Sequence, residues 1–258
     1  MKVGIIGIGH LGFALAEGYA RAGMARDLIV SPRGREKASL LRATHGIRVA
    51  DDNADVVRNS DVVIIATRPG DVISTVRLLP WRDGQVLISA AAGITAGALR
   101  GAAAPADAAR AMPVLASRYG ESAIPLYPDI EKAKEALSPL GRVTPIKDED
   151  AFSAASALGG WFGWLFALTG ETADILIESG VEKAAARKVT ADMMRAAGAM
   201  IAETPEKDPR ETLGQLATPG GITEAGIKTL QDGDAFKPWR DAMAAATARL
   251  QALGRSGD

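Results

Sequence analysis

A chain of 258 residues is long enough for one large domain or two modest ones with hydrophobic cores. Its formal net charge of -1 and pI near 6.2 give no reason to expect nucleic acid as a partner. It has no cysteine, which excludes disulfides, thiolate chemistry and cysteine-ligated metals. The two histidines, His10 and His45, are far apart in sequence, so we expect no bound metal.

The first element is an apolar strand, Lys2–Ile6, which runs directly into a glycine-rich turn and then a helical pattern. Strand, GxGxxG and helix in this order form the dinucleotide-binding fingerprint. Gly7 permits the tight turn, Gly9 lets the backbone approach a diphosphate, and Gly12 lets helix and strand pack closely. The free N–H groups at the helix start attract an anion. The predicted cofactor contacts here are Ile6, Gly7, Ile8, Gly9, His10, Leu11 and Gly12.

Strands and helices alternate from there to about residue 147. Helices are predicted over Arg35–Thr44, after Pro69 and after Thr95. The apolar strands are continuous rather than alternating, which indicates a parallel sheet covered on both faces. We therefore predict a Rossmann-type, doubly wound α/β domain over residues 1–147. Its remaining strands are predicted at Asp27–Ser31, Ile47–Val49, Asp61–Ala66, Gln85–Ser89, Ala108–Ala111, Ala123–Tyr127 and Arg142–Ile146.

The remainder, residues 148–258, has almost no strand signal and reads as a second, all-helical domain. Breaks between its helices are predicted at Gly180, Thr204–Pro205, Pro219–Gly221 and Asp232–Gly233. The longest apolar run, Leu158–Leu168, contains three glycines and is too short to span a bilayer. With no apolar leader either, we expect a soluble, cytoplasmic protein without a membrane partner.

The loop after the second predicted strand bears on the choice of cofactor. A site that prefers NAD usually has Asp or Glu here to hold the ribose 2′-hydroxyl. This chain has Ser31, Arg33 and Arg35 instead, and a hydroxyl with guanidinium groups suits a 2′-phosphate. A solvated basic loop is the alternative interpretation. We predict that Ser31 and Arg33 contact the cofactor and that NADPH is preferred over NADH.

Two further loops follow predicted strands, at the edge where ligands bind in open α/β sheets. Their small residues would let backbone come close to a cofactor, although each loop alone could be an ordinary strand–helix turn. The predicted contacts are Ala66, Thr67, Arg68, Pro69, Ala91, Ala92 and Gly93.

These segments together resemble the pyrroline-5-carboxylate reductase family over nearly the whole chain. The resemblance includes the glycine turn, the Ser31–Pro32 loop, Asn53, and both loops just described. Its most specific part is Ala217–Thr223, which is similar to the family's Thr-Ser-Pro-Gly-Gly-Thr-Thr. The resemblance implies reduction of a cyclic imine, 1-pyrroline-5-carboxylate to L-proline, by hydride transfer from nicotinamide C4 to the C=N carbon. It also implies a cofactor contact at Asn53 and a homodimer or larger oligomer that associates through the helical domain.

The Pro219–Thr223 segment also has a physical interpretation. Pro-Gly-Gly-x-Thr at a helix start presents N–H groups and a hydroxyl that suit a carboxylate, although a plain helix cap explains it equally well. The resemblance implies that Thr223 lies near the imine nitrogen as the catalytic residue. The substrate-binding residues that it implies are Thr218, Gly220, Gly221, Gln215 and Glu206.

This sequence departs from the family pattern at several positions, which marks it as a divergent member. Val114 replaces a polar residue expected near the nicotinamide, Leu158 and Gly160 alter a serine-rich segment, and Ile222 replaces a threonine. Aromatic residues also cluster nearby. We interpret the cluster as helical core or a dimer seam, or else as a pocket reshaped for a bulkier, more apolar imine. Its members are Trp161, Phe162, Trp164 and Phe166.

Reduction of an imine needs little from side chains, because the iminium form is already electrophilic and the cofactor carries the hydride. A related hydroxy-acid dehydrogenase would need a general acid on the first helix of the helical domain. Residues 150–170 contain no Lys, Arg or His, which argues against that class. Two alternatives stay open: a reductase of a different cyclic imine, and a non-catalytic NADPH-binding protein.

Overall fold

The computed structural model describes residues 1–255, and the chain divides into two compact units. One comprises Met1–Gly159 together with the chain from Ala246, and the other comprises Gly160–Ala245. The first compact unit extends past residue 147, because it includes the next helix and the last turns of the chain. The domain boundary at residue 147 stays a prediction.

Eight strands form one sheet in the first unit, in the order β3-β2-β1-β4-β5-β6-β7-β8. Strands β1 to β6 are parallel, and the order reverses next to β1, as in doubly wound folds. Each predicted strand is present to within one or two residues. The strands are β1 Val3–Ile6, β2 Leu28–Val30, β3 Arg48–Val49, β4 Val62–Ile65, β5 Val86–Ser89, β6 Asp107–Ala111, β7 Ser122–Tyr127 and β8 Gly141–Pro145.

The sheet departs from the parallel arrangement at one edge. β7 runs antiparallel to β6, with Arg110 opposite Tyr127, and β8 runs parallel to β7. The connection between β6 and β7 holds only a short 3-10 helix, Leu115–Tyr119. A parallel return needs a crossover of a dozen or more residues, usually a helix, so this short connection reverses the chain direction.

Helices cover both faces of the sheet and bury two apolar clusters against it. Tyr19 on the first helix is fully buried, and its hydroxyl donates to the Ala136 carbonyl at 2.7 Å. Burial raises the pKa of this phenol far above its ordinary value, so it stays a neutral donor that fixes the first helix. The helices are α1 His10–Arg21, α2 Arg35–His45, α3 Asn53–Arg58, α4 Pro69–Arg77, α5 Ala96–Ala103, α6 Glu131–Leu137 and α7 Glu149–Ser156.

The remaining helices confirm the predicted all-helical character, and their ends fall at the predicted breaks. Asp208 caps α10 by accepting from the Arg210 N–H, and Glu182 caps α9 in the same way through two N–H groups. The helices are α8 Leu158–Glu178, α9 Lys183–Glu203, α10 Pro209–Leu216, α11 Ile222–Asp232 and α12 Phe236–Arg255.

The apolar run Leu158–Leu168 at the start of α8 is part of a much longer helical stretch. The stretch Glu149–Glu178 is long and apolar enough to cross a membrane, judged by length and composition alone. The apolar run alone is too short to span a bilayer, but the helix that contains it continues well past Leu168. In the second unit, Trp164 of α8 packs edge-on against Trp239 of α12, so one side of α8 contacts protein.

Candidate cofactor and substrate sites

The glycine turn lies between the end of β1 and the start of α1. Gly7 has a φ of +99°, and a Cβ there would lie 2.8 Å from the Ala66 carbonyl. A Cβ on Gly12 would lie 2.0 Å from the Gly7 oxygen, so helix and turn are in direct contact. A Cβ on Gly9 would meet nothing within 4 Å. The turn thus leaves open space in front of the first N–H groups of α1, which lack intrahelical acceptors.

The loop after β2 divides into one buried and several exposed residues. The Ser31 hydroxyl accepts from the Gly7 N–H at 3.0 Å, and Ser31 has no exposed surface. Arg33 and Arg35 are exposed, and Gly34 lies between them at a φ of +88°. The two guanidinium groups are therefore free to meet a 2′-phosphate, whereas the serine hydroxyl is directed at the glycine turn.

The loops after β4 and β5 reach the same edge of the sheet as the glycine turn. The Ala66 N–H donates to the Ile6 carbonyl at 2.8 Å, which holds this loop beside the end of β1. Within residues 1–255, the buried hydroxyl of Thr67 has no hydrogen-bond partner. Ala91 is buried, and Gly93 has a φ of +82°. Asn53 opens α3 and is half-buried.

A cavity of about 450 Å³ lies beside Gly93 in the first unit, and its floor includes an ion pair that the sequence did not predict. Arg110 is 4% exposed, and its Nη1 lies 2.8 Å from Glu149 Oε1. Burial lowers the pKa of Arg110, and the hydrogen bond to Glu149 opposes that shift. The same Glu149 oxygen accepts from the Ala96 N–H at 2.7 Å. The pair thus connects β6, α5 and α7.

Sequence alone offers a weak signal for this pair. Arg110 is a lone cation in the alanine-rich strand β6, where a buried charge requires a partner. Its partner is remote in the chain, and nothing in the spacing points to Glu149. The residue before Glu149, Asp148, caps α7 by accepting from the Ala151 N–H at 2.7 Å.

The predicted substrate segment lies in the second unit and forms a helix start. α11 begins at Ile222, after a turn in which Gly220 has a φ of +75°. The Gly220 N–H donates to Glu224 Oε2 at 2.7 Å, a bond that the sequence did not reveal. Gln215, Thr218 and Gly220 are exposed, whereas Gly221 and Thr223 are half-buried. Glu206 is exposed in the connection before α10, outside this turn.

The aromatic cluster of α8 is not buried core. Phe166 is 68% exposed and Trp161 is 40% exposed, and Phe162 stacks edge-on against Phe166 at 5.3 Å. A cavity of about 500 Å³ lies between α8 and α9 within the second unit. Its lining residues include Phe162, Leu165, Phe166, Ala173, Asp174 and Met194. Among residues 1–255, no group of three or more His, Asp or Glu side chains could hold a metal ion.

Comparison with known proteins agrees with this arrangement. A family model described as "NADP oxidoreductase coenzyme F420-dependent" matches residues 2–93. One described as "Pyrroline-5-carboxylate reductase dimerisation" matches residues 149–253. The pyrroline-5-carboxylate reductase of Methanosarcina acetivorans is 29% identical over 268 aligned positions, covering 98% of each chain. That of Corynebacterium melassecola is 27% identical and also covers 98% of each chain.

The fold matches solved structures as well. The crystal structure of Plasmodium falciparum pyrroline carboxylate reductase with NADP bound has a TM-score of 0.83 and covers 98% of each chain, at 19% identity. This likeness confirms the predicted fold class, a Rossmann-type sheet followed by an all-helical dimerisation domain. Over 98% of its length the chain is similar to pyrroline-5-carboxylate reductases, and residues 149–253 match that family's dimerisation domain.

Proposed function

We propose that this protein is an NADPH-dependent reductase that converts 1-pyrroline-5-carboxylate to L-proline. The observation that carries the proposal is the helix start at Gly220–Thr223. One of its N–H groups already holds a carboxylate oxygen, that of Glu224, at 2.7 Å. A turn that binds an internal carboxylate has the geometry to bind that of an imino acid. Relatives of matching length carry the name of this enzyme.

The cofactor would lie along the carboxyl edge of the sheet in the first unit. The open space at Gly9 and the free N–H groups at the start of α1 suit a diphosphate, and exposed Arg33 suits a 2′-phosphate. The loops at Ala66–Pro69 and Ala91–Gly93 would border the nicotinamide half. When bound, the reduced nicotinamide supplies the hydride for the C=N carbon.

The substrate would be held by α11 and the turn before it. The Gly220 N–H would bind the carboxylate in place of Glu224. Gly221, whose own N–H donates to the Thr218 carbonyl at 2.9 Å, and Thr218 would lie beside that carboxylate, with Thr223 near the imine nitrogen. Gln215 is close to this turn in sequence, while Glu206 lies before α10 and is the least supported of the proposed contacts. Alignment of this kind contributes roughly 7–11 kcal/mol in favourable systems. The iminium form of the substrate already carries the proton on nitrogen, so hydride transfer to it gives the amine without a general acid.

The second unit buries few of its residues. Its buried residues are Ala173, Ala186 and Thr190, while large apolar side chains such as Met193 (66% exposed) and Phe166 stay at the surface. Large exposed apolar patches mark interaction surfaces. A family model named for dimerisation covers this region, which indicates self-association. We propose a homodimer, or a larger homo-oligomer built from dimers, joined through these helices.

Self-association would also cover the exposed apolar side chains of α8, so that no membrane is needed to bury them. α8 carries Glu171, Asp174 and Glu178 in its second half, and burial of such charges in lipid is costly. Trp164 already packs against Trp239 of the same unit. We therefore propose a soluble, cytoplasmic protein in which a second copy, rather than lipid, covers α8.

One observation favours a second candidate, a reductase of a bulkier cyclic imine. The cavity beside Phe162 and Phe166 is mainly apolar, and Ile222, at the proposed substrate turn, is 94% exposed. Apolar groups at these places would favour a substrate with more hydrocarbon than a pyrroline ring. A third possibility, NADPH binding without turnover, is distinguished by the same experiment.

The experiment supplies purified protein with NADPH and racemic 1-pyrroline-5-carboxylate and follows oxidation of the reduced nicotinamide. Rapid oxidation with proline as product supports the proposal. Turnover limited to bulkier cyclic imines supports the second candidate. Tight NADPH binding with no turnover on any imine supports a binding protein and contradicts the proposal.

A further inference from the structure

The Ser31 hydroxyl is directed at the glycine turn. It accepts from the Gly7 N–H at 3.0 Å across 24 positions of sequence. The Ser31 N–H donates to the Ile5 carbonyl at 2.9 Å, so Ser31 extends the pairing of β2 with β1 by one residue. The residue has no exposed surface.

Close contacts with neighbouring backbone also restrict the position of the Gly7 peptide. A Cβ at Gly7 would meet the Ala66 carbonyl at 2.8 Å, and the Gly7 oxygen faces Gly12 at a distance that admits no Cβ. Gly7 follows the last residue of β1, so its N–H lies just beyond the strand ladder. An N–H that is shielded from water and lacks an acceptor is costly, and the Ser31 hydroxyl is the acceptor for this half-buried group.

We propose that Ser31 is a positioning residue that sets the Gly7 turn and does not itself distinguish NADPH from NADH, a role that the proposed function gives to Arg33 with Arg35. The inference rests on the proposed binding of a dinucleotide at this turn. The turn meets the diphosphate, which NADPH and NADH share, whereas the exposed guanidinium groups meet the 2′-phosphate, which only NADPH carries. Ser31 therefore acts equally on both cofactors.

The test compares dissociation constants for NADPH and NADH, measured by calorimetry, in Ser31→Ala and Arg33→Ala. Ser31→Ala is expected to raise both constants by the same factor, about tenfold, which corresponds to about 1.4 kcal/mol. Arg33→Ala is expected to raise the constant for NADPH alone. Ser39→Ala, at an exposed serine of α2, is the matched control and is expected to change neither constant.

A second measurement needs no cofactor. Amide hydrogen exchange of Gly7 in the apoprotein is expected to be faster in Ser31→Ala and near the wild-type rate in Ser31→Thr, which keeps the hydroxyl. At saturating NADPH, the KM for the imino acid is expected to be unchanged in Ser31→Ala, while the KM for the cofactor rises. A purely structural defect would instead lower the melting temperature and change both KM values.

The outcomes separate this inference from the proposed function. A rise in the NADPH constant alone in Ser31→Ala would overturn the inference, because it would mean that Ser31 contacts the 2′-phosphate. Unchanged constants for both cofactors, or unchanged Gly7 exchange, would also overturn it. Failure of the wild-type protein to bind either cofactor would instead overturn the proposed function. If Ser31→Ala does not fold, Ser31→Thr and its Gly7 exchange rate still test the hydroxyl.

Discussion

Arg110 Nη1 and Glu149 Oε1 lie 2.8 Å apart and join the sixth strand of the sheet to the first turn of α7. The Arg110 guanidinium also lies 4.5 Å from the centre of the Phe152 ring, so it contacts both a carboxylate and an aromatic face. Through the Ala96 N–H, Glu149 also satisfies the start of α5. This pair fixes the ends of the elements that border the loop Ala91–Gly93, where we place part of the cofactor site.

Loss of one member of this pair leaves a buried charge alone. We expect Glu149→Leu to lower the free energy of unfolding by about 3 kcal/mol, measured by urea denaturation, because removing one partner of a buried pair typically costs 3–5 kcal/mol and Glu149 is partly exposed. The double variant Arg110→Met with Glu149→Leu is expected to regain part of the loss. Glu131→Gln, in the exposed pair with Lys134, is the control and should change stability by less than about 1 kcal/mol. Equal losses in Glu149→Leu and Glu131→Gln would contradict a structural role for the buried pair.

Thr223 tests the proposed position of the substrate. Thr223→Ala is expected to lower kcat/KM for 1-pyrroline-5-carboxylate by roughly 10- to 100-fold, because a hydrogen bond to a charged group contributes about 1.5–3 kcal/mol. Steady-state kinetics measure the effect, and Thr223→Ser should recover most of the activity. Thr229→Ala serves as the control, because Thr229 is exposed on the same helix and donates to the Ala225 carbonyl. Unchanged kinetics in Thr223→Ala would show that the substrate does not lie at this helix start.

Glu224 competes with the substrate in this account. Its carboxylate occupies the Gly220 N–H at 2.7 Å, and its charge repels an incoming carboxylate. We expect Glu224→Gln to lower the KM for the imino acid by roughly two- to fivefold, the effect of a single exposed charge of up to about 1 kcal/mol. Glu211→Gln on the neighbouring helix α10 controls for the loss of one negative charge. A higher KM in Glu224→Gln would mean that the glutamate supports the turn instead of blocking it.

Asp148 gives a prediction for the dependence of stability on pH. Its carboxylate accepts from the Ala151 N–H, and this hydrogen bond lowers the pKa of Asp148 below its ordinary value. Because the pKa is lower in the folded state, the charged cap stabilises α7 above the unfolded pKa of about 3.9. That contribution is lost as the pH falls through the folded value.

Asp148→Asn keeps an acceptor at the helix start but does not titrate. Unfolding by urea at neutral pH and again below pH about 4 should therefore show a stability difference between wild type and Asp148→Asn that shrinks in acid. Asp83→Asn, at an exposed turn, controls for the change in net charge. A difference that stays constant with pH would contradict the assignment of Asp148 as a charged cap.

The regular elements of this fold were predictable because their signals are local. The apolar strands β1, β4 and β5, and the helix breaks at Gly180 and Pro219–Gly221, follow from hydrophobic pattern and from residues that end helices. The reversed direction of β7 depends on the short connection between β6 and β7. The alternation of buried and more exposed side chains along β7 does not indicate the direction of the strand. Local pattern therefore specified the elements better than their direction.

The contacts within the candidate sites were harder to predict, because they join residues remote in sequence. Ser31 and Gly7 are both among the predicted cofactor contacts, yet only the pairing of β2 with β1 brings the Ser31 hydroxyl to the Gly7 N–H. Arg110 and Glu149 are brought together by the sheet and α7, and no feature of the sequence pointed to a contact between them. Sequence named the residues at the edge of the sheet but not the bonds among them.

The measurement that tests the central claim most directly follows the hydride itself. The protein is supplied with racemic 1-pyrroline-5-carboxylate and NADPH that carries deuterium at the transferable C4 position, and the product is examined by chiral chromatography and mass spectrometry. The account predicts L-proline with a single deuterium on the ring carbon that was the C=N carbon. Unlabelled proline, or NADPH bound tightly but never oxidised in the presence of the imine, would contradict it.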